Sequence, residues 1–135
     1  ANSTEFDKKA RYPVIDLMES QRAIKRKGGT MRLGAYDCKI ETGTKTFSAY
    51  RKKNISERHR HRWEVNNRYR DRLEKNGLKI SGINEELNLV EIIELPDHPW
   101  YVAGQFHPEL KSRVSKAHPL FREFIKASVK HLNEK

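Results

Sequence analysis

Tyr101-Val102-Ala103-Gly104-Gln105-Phe106-His107-Pro108-Glu109 is the stretch on which the reading of this chain turns. An apolar β run ends in a glycine and then presents a histidine and a glutamate two residues apart, one on each side of a proline. The proline ring fixes φ and stiffens the link, so the carboxylate can be held against the imidazole. Such a pair orients a histidine, selects its tautomer and raises its basicity, which is the supporting half of a nucleophile-His-acid triad. A histidine near a strand end is more often structural. The position directly after an apolar run singles this one out.

Working outward, Leu89-Val90-Glu91-Ile92-Ile93-Glu94-Leu95 is a second apolar run, and Pro96-Asp97-His98-Pro99-Trp100 has the residues and length of a hairpin connection to the first. Downstream, His118-Pro119 opens a helix in which Leu120, Phe121, Phe124, Ile125, Ser128, Val129 and Leu132 recur at helical spacing, with Pro119 at the first helical position. Upstream, Tyr12–Met18, Thr30–Gly34, Trp63–Val65 and Lys79–Ile83 read as strands, and Glu19–Gly29 as a polar, basic loop. Asn66 or Asn67 caps a helix over Arg68–Lys75 that Asn76-Gly77 stops. Lys39–Lys53 carries only isolated apolar positions and no regular structure is expected throughout it. Strands first and an amphipathic helix last describe an α+β module, or the back half of an α/β domain without its first βα units.

At 135 residues the chain suits one domain, and 36% apolar with 34% charged residues is hydrophilic but globular. The single cysteine, Cys38, excludes an internal disulfide and a multi-cysteine zinc site and points to a reducing compartment. No signal peptide or membrane-spanning stretch is present, so a soluble, cytoplasmic protein with no membrane partner is expected. The chain starts without methionine on a polar, loop-like stretch, which suggests a fragment of something longer.

The net charge of +10 raises nucleic-acid binding as a reading. Its densest cluster is Arg51 to Arg72, with nine Lys or Arg against Glu57, Glu64 and Asp71. Within it, Glu57-Arg58-His59-Arg60-His61-Arg62-Trp63, if extended, turns three guanidiniums to one face and two imidazoles to the other. A solvated surface, a nucleic-acid contact aided by Trp63 and Tyr69, and an Arg clamp for a small carboxylate or phosphate all fit. A metal at His59 and His61 fits least, because the arginines repel a cation and no further ligand completes a set.

Gln105-Phe106-His107-Pro108-Glu109 resembles the His-x-Glu signature of class I glutamine amidotransferases. Ala1-Asn2-Ser3-Thr4-Glu5-Phe6, Gly28-Gly29-Thr30-Met31-Arg32-Leu33-Gly34, Glu57-Arg58-His59-Arg60-His61-Arg62-Trp63-Glu64-Val65-Asn66 and Val90-Glu91-Ile92-Ile93-Glu94 together resemble the C-terminal part of the CTP synthase family. The resemblance covers essentially the whole chain in the right order and makes residues 1–135 the C-terminal portion of a type 1 glutamine amidotransferase domain. It implies an α/β fold, an incomplete flavodoxin-like domain with its later strands and C-terminal helix, and a mostly parallel central sheet with the site at the strand ends. A half domain of this kind should expose a sheet edge and apolar surface.

The activity it implies is hydrolysis of glutamine to glutamate and ammonia, which a synthase domain uses to aminate ATP-phosphorylated UTP to CTP. By motif, His107 is the acid/base and Glu109 its orienting partner, while Glu5 binds the glutamine α-amino group and Arg62 its α-carboxylate. No cofactor is implied in this chain. ATP and Mg serve the synthase domain, GTP is the allosteric activator, and the family assembles as a tetramer. The partners implied are glutamine, the missing first half of the domain and the synthase domain, with no nucleic acid.

One departure stands out. The family nucleophile sits on a Gly-x-Cys-x-Gly elbow that precedes the Asn-Ser-Thr-Glu motif, and no such elbow occurs here. Cys38 lies downstream of the Gly-Gly-Thr-Met-Arg-Leu-Gly motif and is expected to be structural, so the chain alone should be inactive.

Overall fold

The computed structural model describes residues 1–18 and 31–134. The Glu19–Gly29 loop and Thr30 lie outside the described residues. In chain order the elements are β1 (Asn2–Ser3), β2 (Pro13–Leu17), β3 (Arg32–Ile40), α1 (Lys45–Tyr50), β4 (Asn54–His61), β5 (Trp63–Val65), a 3-10 turn (Asn67–Tyr69) running into α2 (Arg70–Lys75), β6 (Lys79–Asn84), β7 (Leu89–Glu94), β8 (Val102–Gly104), a second 3-10 turn (Pro108–Lys111) and α3 (Pro119–Asn133).

Two sheets result, one of five strands in the order β4-β3-β6-β7-β8 and one of three in the order β1-β2-β5. Every pairing in the larger sheet is antiparallel, including the hairpin through Pro96–Trp100. The mostly parallel sheet is therefore not found among the described residues, where only β1 and β2 run parallel. The cause is connection length: β6–β7 and β7–β8 are joined by short links, and parallel neighbours need a crossover of about a dozen residues or more.

Burial of Cys38, Ile40, Ala49, Ile92, Phe106 and Leu120 forms the core. Gly82 is required there, since a Cβ on it would stand 2.8 Å from both Cys38 Sγ and Ile92 Cγ1. The same closeness holds at Gly104, over which the Phe106 ring folds, with a Cβ only 2.9 Å from the ring.

Helix α1 arises within Lys39–Lys53, a stretch over which the sequence does not call for regular structure throughout. Its six residues are too few to hold a helix by propensity. Thr44 caps it, accepting the Phe47 N–H at 3.0 Å, and the buried Glu94 carboxylate of β7 accepts the N–H groups of Lys45 and Thr46 at 2.9 and 3.0 Å. A carboxylate from the opposite strand thus satisfies donors at the helix N-terminus. Of the two expected caps, Asn66 accepts from the Arg68 N–H at 3.1 Å, but it caps the 3-10 turn, and α2 begins only at Arg70 without a side-chain cap. In α3, His118 Nδ1 accepts the Leu120 N–H at 3.3 Å. Leu120 is its one buried residue, and Phe121, Phe124, Ile125, Val129 and Leu132 are exposed, as anticipated for half a domain.

Candidate functional site

The two sheets meet where β4 gives way to β5. Arg62 is the one residue between His61, the last of β4, and Trp63, the first of β5. Because β1 runs parallel to β2 and β5 antiparallel to it, the exit of β1 and the entry of β5 lie at the same end of the smaller sheet. Glu5 follows that exit, held by Thr4 N–H to Ile15 O at 3.0 Å, by Thr4 Oγ1 donating to Asp16 Oδ1 at 2.8 Å, and by its own N–H to Ser3 Oγ at 3.1 Å. The acid and the base singled out in the sequence are thus brought to one end of one sheet, with Glu5 exposed and Arg62 half-buried.

The segment after β8 is hung on the same junction. Gln105 Nε2 donates to Trp63 O at 3.1 Å, and the His107 N–H donates to Arg58 O of β4 at 2.8 Å. Beyond it, His107 Nδ1 and Glu109 Oε1 are 2.6 Å apart. The Glu109 carboxyl is held below its ordinary value chiefly by this hydrogen bond. With Nδ1–H given to the carboxylate, Nε2 carries the lone pair and is left to take a proton. Both side chains are well exposed, so a substrate can reach them.

Beneath this surface lies a polar network that sequence reasoning did not single out. Arg32 of β3 places Nη1 3.3 Å from Glu64 Oε1 on β5 and Nη2 2.6 Å from Glu91 Oε1 on β7, with its guanidinium 4.3 Å from the Tyr36 ring centroid. His59 Nδ1 and His61 Nε2 are 2.8 Å apart, His61 Nδ1 lies 3.2 Å from Trp63 O and 3.4 Å from Glu64 Oε1, and His59 Nε2 is 3.5 Å from Glu91 Oε2. Five side chains from four strands thus form a ring across the two sheets, whose last side, His59 Nε2 to Glu91 Oε2, is a close approach and not a hydrogen bond.

A carbonyl can only accept, so His61 Nδ1 carries the proton given to Trp63 O and a neutral His61 accepts at Nε2 from His59 Nδ1–H. Desolvation and the Arg32 charge push His59 down to about 3 and His61 down to about 4, and His107 also lowers both. Burial lifts Glu64 to about 7 against the pull of Arg32, and lifts Glu91 as well. The signal was available in the strand pattern. Glu57, His59 and His61 share the inward parity of β4, and Glu91 sits inside an apolar run.

The predicted alternation of β4 is observed, with Arg58 and Arg60 exposed and His59 buried. The Arg51–Arg72 cluster does not form one face, because it continues through β5 into α2, where Arg70 donates to Asn88 Oδ1 at 3.0 Å. Part of the charge instead lines a cavity of about 1150 Å³ between α1, β4 and the start of α3, which includes Arg51, Lys52, Arg58, Lys111, Arg113 and Arg122. Glu5, Arg62, His107 and Glu109 do not line it. Cys38 is buried in the core, and desolvation pushes its thiol up to about 12, which suits packing and not nucleophilic attack. Among the described residues no group of three or more His, Cys, Asp or Glu could hold a metal ion, and no helix is long and apolar enough to cross a membrane.

A model of the family "Glutamine amidotransferase class-I" matches residues 9–127. The chain is 62% identical over 128 residues to CTP synthase of Chlorobium phaeovibrioides, which covers 95% of this chain and 22% of that protein. It is 58% identical over 135 residues to CTP synthase of Trichlorobacter lovleyi, covering 100% of this chain and 25% of that protein. The chain thus spans about a quarter of the length of these curated relatives. Among solved structures, the glutaminase domain of Trypanosoma brucei CTPS with bound acivicin superposes with a TM-score of 0.86 at 35% identity, covering 96% of this chain and 50% of that one.

Proposed function

Since the chain belongs to the class I glutamine amidotransferases, we propose that it is the later half of a CTP synthase glutaminase domain, supplying the acid/base pair and two glutamine-binding groups. The observation that carries this reading is the His107–Glu109 pair at 2.6 Å, hung on the strand that leads to Arg62. Arg62 takes the α-carboxylate of glutamine and Glu5 its α-ammonium, so a zwitterion is held with its side-chain amide free to enter the reacting position.

The nucleophilic thiol is supplied from outside these 135 residues, because Cys38 is locked in the core. His107 Nε2 accepts the thiol proton as sulfur attacks the amide carbon, then returns it to the nitrogen that leaves as ammonia. Water attacks the thioester next, giving its proton to the same Nε2; the C–S bond breaks, glutamate leaves, and the proton passes from Nε2 back to the sulfur. Glu109 holds Nδ1–H throughout and stabilises the imidazolium formed at each step. In the parent enzyme the ammonia aminates UTP activated by ATP with Mg, under GTP activation, and no residue of this chain is assigned to those nucleotides. The domains that carry them are partners of this one within a homotetramer.

The test uses the full-length enzyme. In His107→Ala, glutamine-dependent CTP synthesis is expected to fall by about 10²–10⁴-fold, while synthesis from free ammonia persists. Loss of both activities, or of neither, refutes the assignment.

A further inference from the structure

We propose that the buried ring Arg32–Glu64–His61–His59–Glu91 is a positioning device for the glutamine site, fixing Arg62 by gripping the chain on both sides of it. The inference rests on the reading of Arg62 as the group that takes the glutamine carboxylate.

The grip is visible in the order of residues. His61 precedes Arg62 and Glu64 follows two residues later, and both are members of the ring. Arg62 itself belongs to neither sheet, so no ladder bonds of its own strand define its direction. The fold of the step from β4 to β5 contributes to that direction, and the step is bonded internally. His61 Nδ1 reaches over Arg62 to Trp63 O at 3.2 Å and to Glu64 Oε1 at 3.4 Å. Arg32 then ties Glu64 of the small sheet to Glu91 of the large one, and His59 returns from Glu91 to His61.

The ring reaches the acid/base pair by the same route. Trp63 O, which accepts from His61, also accepts from Gln105 Nε2 at 3.1 Å, two residues before His107. A shift of Trp63 would therefore move Arg62 directly and His107 through the backbone. Glu64 is 2% exposed and Glu91 is 1% exposed, so neither reaches a substrate and both act only through what they hold. An error of about 1 Å in a substrate-orienting group can cost as much as 10²-fold, so a network of this kind has a measurable output.

The experiment compares glutamine-dependent with ammonia-dependent synthesis in the full-length enzyme. Glu64→Gln removes the charge between Arg32 and His61. The expected result is a KM for glutamine raised about tenfold, a smaller fall in the glutamine-dependent kcat, and an ammonia-dependent rate changed less than about twofold. His61→Leu, which loses both bonds across Arg62, is expected to behave alike, whereas His61→Asn, whose amide N–H can replace Nδ1–H, keeps KM within about twofold.

An unchanged KM in Glu64→Gln and His61→Leu overturns the inference. Equal effects of His61→Asn and His61→Leu also overturn it, as does an ammonia-dependent rate that falls in parallel, since the ring then serves the fold as a whole. Arg62→Ala separates the two claims. If it leaves the KM for glutamine unchanged, the underlying reading fails. If it raises KM while the ring variants do not, only the positioning role fails.

Discussion

Two histidine clusters, each built on a spacing of two residues, sit on neighbouring segments and do opposite things. His107 and Glu109 follow β8 in a turn, are exposed, and leave one imidazole nitrogen open. His59 and His61 lie on β4, with His59 buried, and face Arg32, Glu64 and Glu91. In the first, the carboxylate keeps its proton off and stabilises a charged imidazole. In the second, burial and a guanidinium keep the imidazoles neutral, while burial lifts the acids against the pull of that same guanidinium. The same residue types become chemistry or scaffold according to what surrounds them.

The comparison breaks most visibly at Glu109. Glu109→Gln retains an oxygen that can accept from Nδ1–H but removes the negative charge beside the imidazolium formed during the reaction. Glutamine hydrolysis in the full-length enzyme is expected to fall about 10- to 100-fold. Because the residue is exposed, the unfolding free energy should change by no more than about 0.5 kcal/mol. Full activity in this variant would remove the carboxylate from the mechanism.

Acid stability probes the buried cluster. Unfolded, His59 and His61 take up protons near pH 6.5, whereas folded they stay neutral to about pH 3 and about pH 4. The unfolded state therefore binds more protons as pH falls through this window, and stability drops. Glu64 acts oppositely. Its folded value near 7 exceeds its ordinary 4.5, so the cost of burying its charge is relieved as pH falls from 7 to 4.5, and Glu91 acts in the same direction. The two effects offset each other between pH 6.5 and 4.5, leaving the steepest loss from these groups below about 4.5. Denaturant midpoints of the whole glutaminase domain should show this, and His59→Asn should make the low-pH fall shallower. An unchanged slope would mean that His59 is not held neutral.

Much of the scaffold around this contrast was legible. The apolar runs over Leu89–Leu95 and Tyr101–Phe106, the turn between them, Asn66 as a cap and Pro119 at the start of α3 are local signals, and each has its counterpart in the structure. Helix α1 was not legible, because part of its capping comes from Glu94, some fifty residues away, and no local rule reports that. The antiparallel run β6-β7-β8 follows from short links that could be counted, whereas β3 and β4 pair antiparallel across α1, and the family resemblance drew the expectation to the parallel part of such domains. At the site, His107 and Glu109 stood out because their partnership is local. The strand pattern marked Glu91 and His59 as inward-facing, but the ring stayed hidden because Arg32, Glu64 and Glu91 are distant in sequence and no local rule pairs them.

A packing prediction of intermediate size concerns the floor shared by both clusters. Gly82→Ala would push a methyl to within 2.8 Å of Cys38 Sγ and Ile92 Cγ1, both in the core and one residue from Glu91 in the case of Ile92. Overpacking of this kind costs about 1–3 kcal/mol, read as a lower denaturant midpoint of the glutaminase domain. A neutral result would mean that β6 and β7 can part here without cost.

The smallest expected effect is the most discriminating. If His61 gives its Nδ1 proton to Trp63 O, and His59 gives its own to His61, then His59 Nε2 turns a lone pair toward Glu91 Oε2. These two acceptors stand 3.5 Å apart with no hydrogen bond between them, burial pushes the Glu91 carboxyl up against the pull of Arg32, and a proton on that carboxyl would relieve the opposition. Glu91→Gln copies that protonated form: its oxygen accepts from Arg32 Nη2 and its amide N–H donates to His59. If the carboxyl is protonated at pH 7, the substitution costs no more than about 0.5 kcal/mol. If Glu91 instead carries a charge against Arg32, breaking that buried pair costs about 3–5 kcal/mol, a difference that one denaturation curve resolves. The same change of residue at Glu109 acts on catalysis without touching the fold, so Glu→Gln at the two positions measures how far burial alone has separated them.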